Sequence, residues 1–104
     1  MEQEFVNVYE NGEIIGIVEL SHNLDDFYTG SVSGVHHGLT RLQDGRYVLI
    51  VSSDWQGDTD NAYLISPDEA FRYIVESGNY YLFDDSKFSE LKPKFLELVN
   101  KEMK

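Results

Sequence analysis

Apolar and polar positions follow a strand-like pattern through the first two thirds of the chain and a helical period in the last third. Residues 4–9 (EFVNVY) and 13–20 (EIIGIVEL) are dominated by β-branched and aromatic side chains, which fit a pleated, half-buried surface. Between them lies Asn11-Gly12, a pair favoured in the two-residue type I′ turn because both positions need positive φ. The pattern predicts a β-hairpin. Gly16 interrupts the second arm, where it marks either a bulge or a close backbone approach. Asp44-Gly45 gives the same hairpin signal between GLTRL (38–42) and RYVLIVSS (46–53). Tyr47, Leu49 and Val51 fall on one face of that strand, Val48 and Ile50 on the other. Apolar on both faces, it is expected inside the sheet rather than at an edge. NAYLI (61–65) is expected to pair with it across the loop at 54–60.

Ser66-Pro67-Asp68-Glu69 is the sharpest local signal. A serine before proline, with glutamate three residues on, is a capping box with proline at the first helical position. Asp68 and Glu69 also suit the positive end of the helix dipole. Ala70, Phe71, Ile74 and Val75 recur at helical spacing, and Gly78 is placed to end the helix. A helix over 67–77 follows. NYYLF (79–83) reads as a short link or strand, and residues 86–91 as a single turn. Pro93 then opens a last helix, with Phe95, Leu98, Val99 and Met103 toward the core. The stretch 21–38 (SHNLDDFYTGSVSGVHHG) has no clean period and reads as a loop.

These elements make one α+β domain over residues 1–104. The expected architecture is an antiparallel β-meander of about five strands and two hairpins, followed by two C-terminal helices packed on one face. Ala70, Phe71, Ile74, Val75, Phe95, Leu98 and Val99 are expected to meet Val48, Ile50 and Leu64 in the core.

Composition narrows the function classes. The chain has 104 residues, 41% hydrophobic, with six Phe, seven Tyr and one Trp, which is too apolar for a disordered segment. It has no cysteine, which excludes disulfides, thiolate metal sites and cysteine nucleophiles. The first forty residues hold no Lys or Arg, so the basic region of a secretory signal is not expected there. Apolar runs such as YVLIV (47–51) are far shorter than the ~20 residues of a membrane helix. A cytoplasmic protein without membrane association is the expectation.

The net charge is −11 and uneven. Residues 1–86 carry sixteen acids against Arg41, Arg46 and Arg72, while residues 87–104 carry five lysines against three acids. Such an acidic body repels nucleic acid, so direct binding to DNA or RNA is not expected. It serves solubility, and it is compatible with a basic protein partner.

Candidate chemistry is sparse. His36 and His37 are adjacent, so in an extended chain they point to opposite faces and do not easily share a metal. His22, near Asp25 and Asp26, is the third histidine. Asp54, Asp58 and Asp60 flank a turn around Trp55, but an EF-hand register from Asp58 fails, with Ala62 and Tyr63 at its fifth and sixth positions. Turn chemistry from Gly57, Asp58 and Asn61 is the favoured reading. No nucleophile elbow, P-loop or zinc helix occurs, so no catalytic, metal or cofactor residue is assigned.

The expected function is therefore contact with a protein partner by a small, acidic, cofactor-free, non-catalytic protein. Trp55, Asp54, Asp58, Asp60 and Tyr28 are the expected contact residues, because loop aromatics are common interface anchors. Two alternatives stand beside it: a nucleic-acid mimic that inhibits a basic enzyme, and a weak metal-binding or hydrolytic domain using the 21–38 loop. The last requires His22, His36 or His37 to gather with carboxylates in one pocket.

Overall fold

Both residues of the first turn take positive φ, 52° at Asn11 and 81° at Gly12, as a type I′ connection demands. The computed structural model describes residues 4–24, 35–53 and 60–102. The turn joins β1 (Phe5–Glu10) to β2 (Glu13–Glu19) as an antiparallel hairpin. The register shifts after Val8, opposite Gly16, so this glycine sits at a bulge. A second hairpin joins β3 (Val35–Arg41) to β4 (Tyr47–Ser53), with Gly45 at φ 97° and the Leu42 N–H donating to Arg46 O at 2.9 Å. β5 (Asn61–Ile65) lies antiparallel to β4.

The strand order is β2-β1-β5-β4-β3. The fold is α+β, but the sheet is mixed and not the expected antiparallel meander. β5 pairs in parallel with β1 through Val8 with Ala62 and Tyr9 with Tyr63. The cause lies after β2. The chain does not turn back beside β2 but crosses to the far side of the sheet, where Leu24 N–H donates to His37 O of β3 at 3.0 Å. The second hairpin therefore starts at the opposite edge, and β5 returns against β1. The expected loop over 21–38 also ends early, since β3 begins at Val35.

α1 spans Pro67–Ser77 with its full capping box: Glu69 N–H donates to Ser66 Oγ at 3.1 Å, and Ser66 N–H donates to Glu69 Oε1 at 3.0 Å. Gly78 closes it at φ 77°. Residues 79–83 form neither a strand nor a plain link. Tyr80–Asp84 is a 3₁₀ turn that buries Leu82 and Phe83. A second 3₁₀ turn, Ser89–Leu91, leads into α2 (Lys92–Glu102).

Two cores lie on the two faces of the sheet. On the helix side, Ala70, Phe71, Ile74, Leu82, Phe83, Phe88 and Leu91 pack with Leu39, Tyr47 and Leu49. Stacked rings link the layers, with Phe83 and Phe95 centroids 4.7 Å apart. On the other side, Val6, Val8, Val18, Val48, Ile50 and Ala62 form a separate cluster, flanked by Ile15, Leu20, Leu42 and Leu64. The expected partners of the helices were therefore taken from the wrong face: Val48, Ile50 and Leu64 point away from them, and Leu49, Val51 and Ile65 take their place. Leu98 is likewise 42% exposed rather than in the core.

The sheet curls over the second cluster, bringing β2 close to the end of β3. A Cβ at Gly16 of β2 would sit 2.9 Å from Leu42 Cδ2, just past β3. One at Gly38 of β3 would meet Ser21 O at 2.0 Å. Both glycines are thus fixed by close approach across the curl.

Candidate functional site

α1 lies on β4, while α2 packs against the two 3₁₀ turns. A helix about 10 Å wide covers only two or so strands spaced about 4.8 Å apart. Among the described residues, nothing covers the helix-side face of β1, β2 and the near half of β5 as a result. The register places Phe5 and Tyr9 of β1, Ile14 and Ile17 of β2 and Tyr63 of β5 on that face. All are solvent-accessible, from 46% for Tyr9 to 64% for Ile17. Their neighbours Val6, Val8, Val18 and Ala62, which point the other way, are buried.

This bare aromatic and aliphatic face is the most unusual surface among the described residues. Monomeric proteins seldom leave such patches open, and polar-rimmed ones mark contact sites. Acidic residues rim it: Glu19 shares its face, while Glu4, Glu10 and Glu13, which alternate to the other face, are exposed at the ends of the hairpin. Arg46 is the one described cation paired there, 3.8 Å from Glu10 and 2.8 Å from Asp44. Its guanidinium holds the Asp44 carboxyl below the usual carboxylate range by direct hydrogen bonding. The lysines lie elsewhere, with Lys94 bonded to Asp68 at 2.7 Å and Lys92 to Asp84 at 2.5 Å.

The histidines divide as strand alternation requires. His36 lies opposite Ser52 in the β3–β4 ladder, and His37 is exposed on the other face. His22 joins His36, their rings stacked at 4.2 Å and 12°. Its Nε2 lies 3.2 Å from the hydroxyl of buried Ser52. This cluster ties segment 20–24 to β4. No group of three His, Asp or Glu side chains suited to a metal ion occurs among the described residues.

Of the residues expected to make contact, Asp60 is exposed immediately before β5. Trp55, Asp54, Asp58 and Tyr28 lie outside the described residues. Sequence reasoning missed Phe5, Tyr9, Ile14, Ile17 and Tyr63 because it placed them in an ordinary strand surface. A usable signal existed: both faces of the first hairpin carry apolar residues, Val6 and Val8 on one and Phe5 and Tyr9 on the other. No described helix is long and apolar enough to cross a membrane. No protein family, curated protein or solved structure matches the chain.

Proposed function

We propose that this is a small, acidic, cofactor-free and non-catalytic protein that works by docking onto another protein, with the bare face of β1, β2 and β5 as its contact surface. The observation that carries the reading is the shared exposure of Phe5, Tyr9, Ile14, Ile17 and Tyr63 on one side of the sheet. Burying such side chains contributes about 25 cal/mol per Å² of apolar surface, so this face gains most from a partner. Flat aromatic anchors on strands lose little side-chain entropy when they dock. The acidic rim favours a partner with basic residues around an apolar centre, and it speeds their encounter. An apolar centre supports this docking mode over mimicry of a phosphate row, which needs carboxylates across the face.

Affinity capture from the native cell with the intact chain and with the Ile14→Gln/Tyr63→Gln variant tests the reading. A protein retained by the intact chain and lost with the folded variant supports it. Equal capture by both, or capture of nothing, overturns it.

A further inference from the structure

The two edges of the sheet are treated differently. The β3 edge is closed by the chain itself. Asn23 acts as a surrogate strand there, donating from Nδ2 to Leu39 O at 2.9 Å and accepting from Leu39 N–H at Oδ1 at 2.7 Å. Leu24 N–H donates to His37 O one step along. Among the described residues the β2 edge has no such cover. Leu20 N–H donates to Glu4 O, so by alternation Val18 and Gly16 also turn their N–H and C=O toward β1. Ile17 and Glu19 turn theirs outward, and among the described residues nothing bonds to them. Beyond that edge lies a groove of about 430 Å³, with Ile15–Val18 on one side and Arg41–Asp44 on the other.

We propose that this free edge accepts an extended segment of a partner protein as an added strand, apolar in its middle and basic at both ends. The inference rests on reading the protein as a contact module and names the partner's chemistry. Main-chain pairing supplies affinity in such strand addition, and the flanking side chains supply selectivity. Selectivity here is carried by charge. β2 is apolar between Glu13 and Glu19, and both acids are exposed at its ends. A second copy of this chain is a poor occupant. Antiparallel pairing centred on Gly16 sets Glu13 of each copy against Glu19 of the other, and like charges directly opposite are destabilising. A segment with lysine or arginine at those places turns the same contacts favourable. A strand added to β2 extends the bare face without covering it.

The probe is a short synthetic peptide alternating valine and threonine with lysine at both ends, compared with one ending in glutamate. Amide exchange is followed by NMR on the full chain. The lysine peptide is expected to protect the Ile17 and Glu19 amides, and to bind roughly tenfold more tightly than the glutamate peptide, from two charge pairs. Glu13→Gln/Glu19→Gln is expected to remove most of that preference. Unprotected Ile17 and Glu19 amides at saturating lysine peptide, equal binding of the two peptides, or a dimer formed through β2 in sedimentation would each overturn the proposal. None of these results touches capture of a native partner through Ile14 and Tyr63, so the broader reading stands or falls separately.

Discussion

The side-chain amide of Asn23 bonds both the N–H and the C=O of Leu39, at 2.7 and 2.9 Å, and so closes the β3 edge of the sheet. A primary amide can do this because it carries a donor and an acceptor in one plane, as a peptide group does. Neither aspartate nor alanine can. Asn23→Ala is expected to cost about 2 kcal/mol for two partly buried hydrogen bonds, and Asn23→Asp at least as much. The freed edge is also expected to self-associate. Urea unfolding and sedimentation velocity measure both effects; unchanged stability would show that the edge is closed by other contacts.

The capping box makes α1 sensitive to acid. Ser66 N–H donates to the Glu69 carboxylate and holds its pKa below the usual glutamate range. The stabilising contribution is therefore complete above the ordinary glutamate pKa and is lost as pH falls through the lowered folded-state value. Lys94 acts on Asp68 in the same direction. Urea midpoints are expected to fall in acid, with a shallower fall in Glu69→Gln. Ser66→Ala is expected to cost about 1 kcal/mol at neutral pH. A Glu69→Gln profile parallel to that of the parent chain would remove the box as the cause.

Local chemistry made much of the fold legible. Asn11-Gly12, Asp44-Gly45 and Ser66-Pro67-Asp68-Glu69 each fix their own backbone through φ limits and short hydrogen bonds, and the structure shows both hairpins and α1 where they point. The parallel pairing of β1 and β5 depends on where residues 20–24 cross, which is set by Asn23 and Gly38 against distant partners. Face choice failed for a related reason. β4 is apolar on both sides, so Val48 and Leu49 are equally good core residues until the helices are placed. The bare face was hidden by the same ambiguity, since Ile14 and Ile17 look like core in a strand whose cover is unknown.

The two close glycines are expected to differ in tolerance. A Cβ at Gly38 meets the Ser21 carbonyl oxygen at 2.0 Å, and backbone cannot step aside without breaking the crossing. Gly38→Ala is expected to cost about 3 kcal/mol or more. A Cβ at Gly16 meets only the tip of Leu42 at 2.9 Å, which can turn away. Gly16→Ala is expected to cost about 1 kcal/mol. Thermal unfolding of the pair checks the order, and equal costs would contradict the tight crossing at Ser21.

Tyr47 carries a buried hydroxyl without a hydrogen-bond partner among the described residues. Burial raises its pKa. The unfolded chain therefore ionises first in alkali, and this tyrosine lowers stability as pH rises through the ordinary tyrosine range. Tyr47→Phe keeps the ring that stacks with Phe88 and lies under Arg41 at 4.5 Å. It is expected to stabilise the protein by about 1 kcal/mol at neutral pH, and more in alkali. Chemical denaturation at both pH values is the check, and a clear loss of stability would mean that the hydroxyl is bonded in solution.

The bare face itself is most directly tested by placing a photo-crosslinking amino acid at Tyr63, at the centre of the sheet, and at Glu76 on the exposed side of α1. Irradiation in the native cell is expected to join one protein to the chain from Tyr63 and none from Glu76. Adducts of equal yield from both positions, or from Glu76 alone, would contradict docking through β1, β2 and β5.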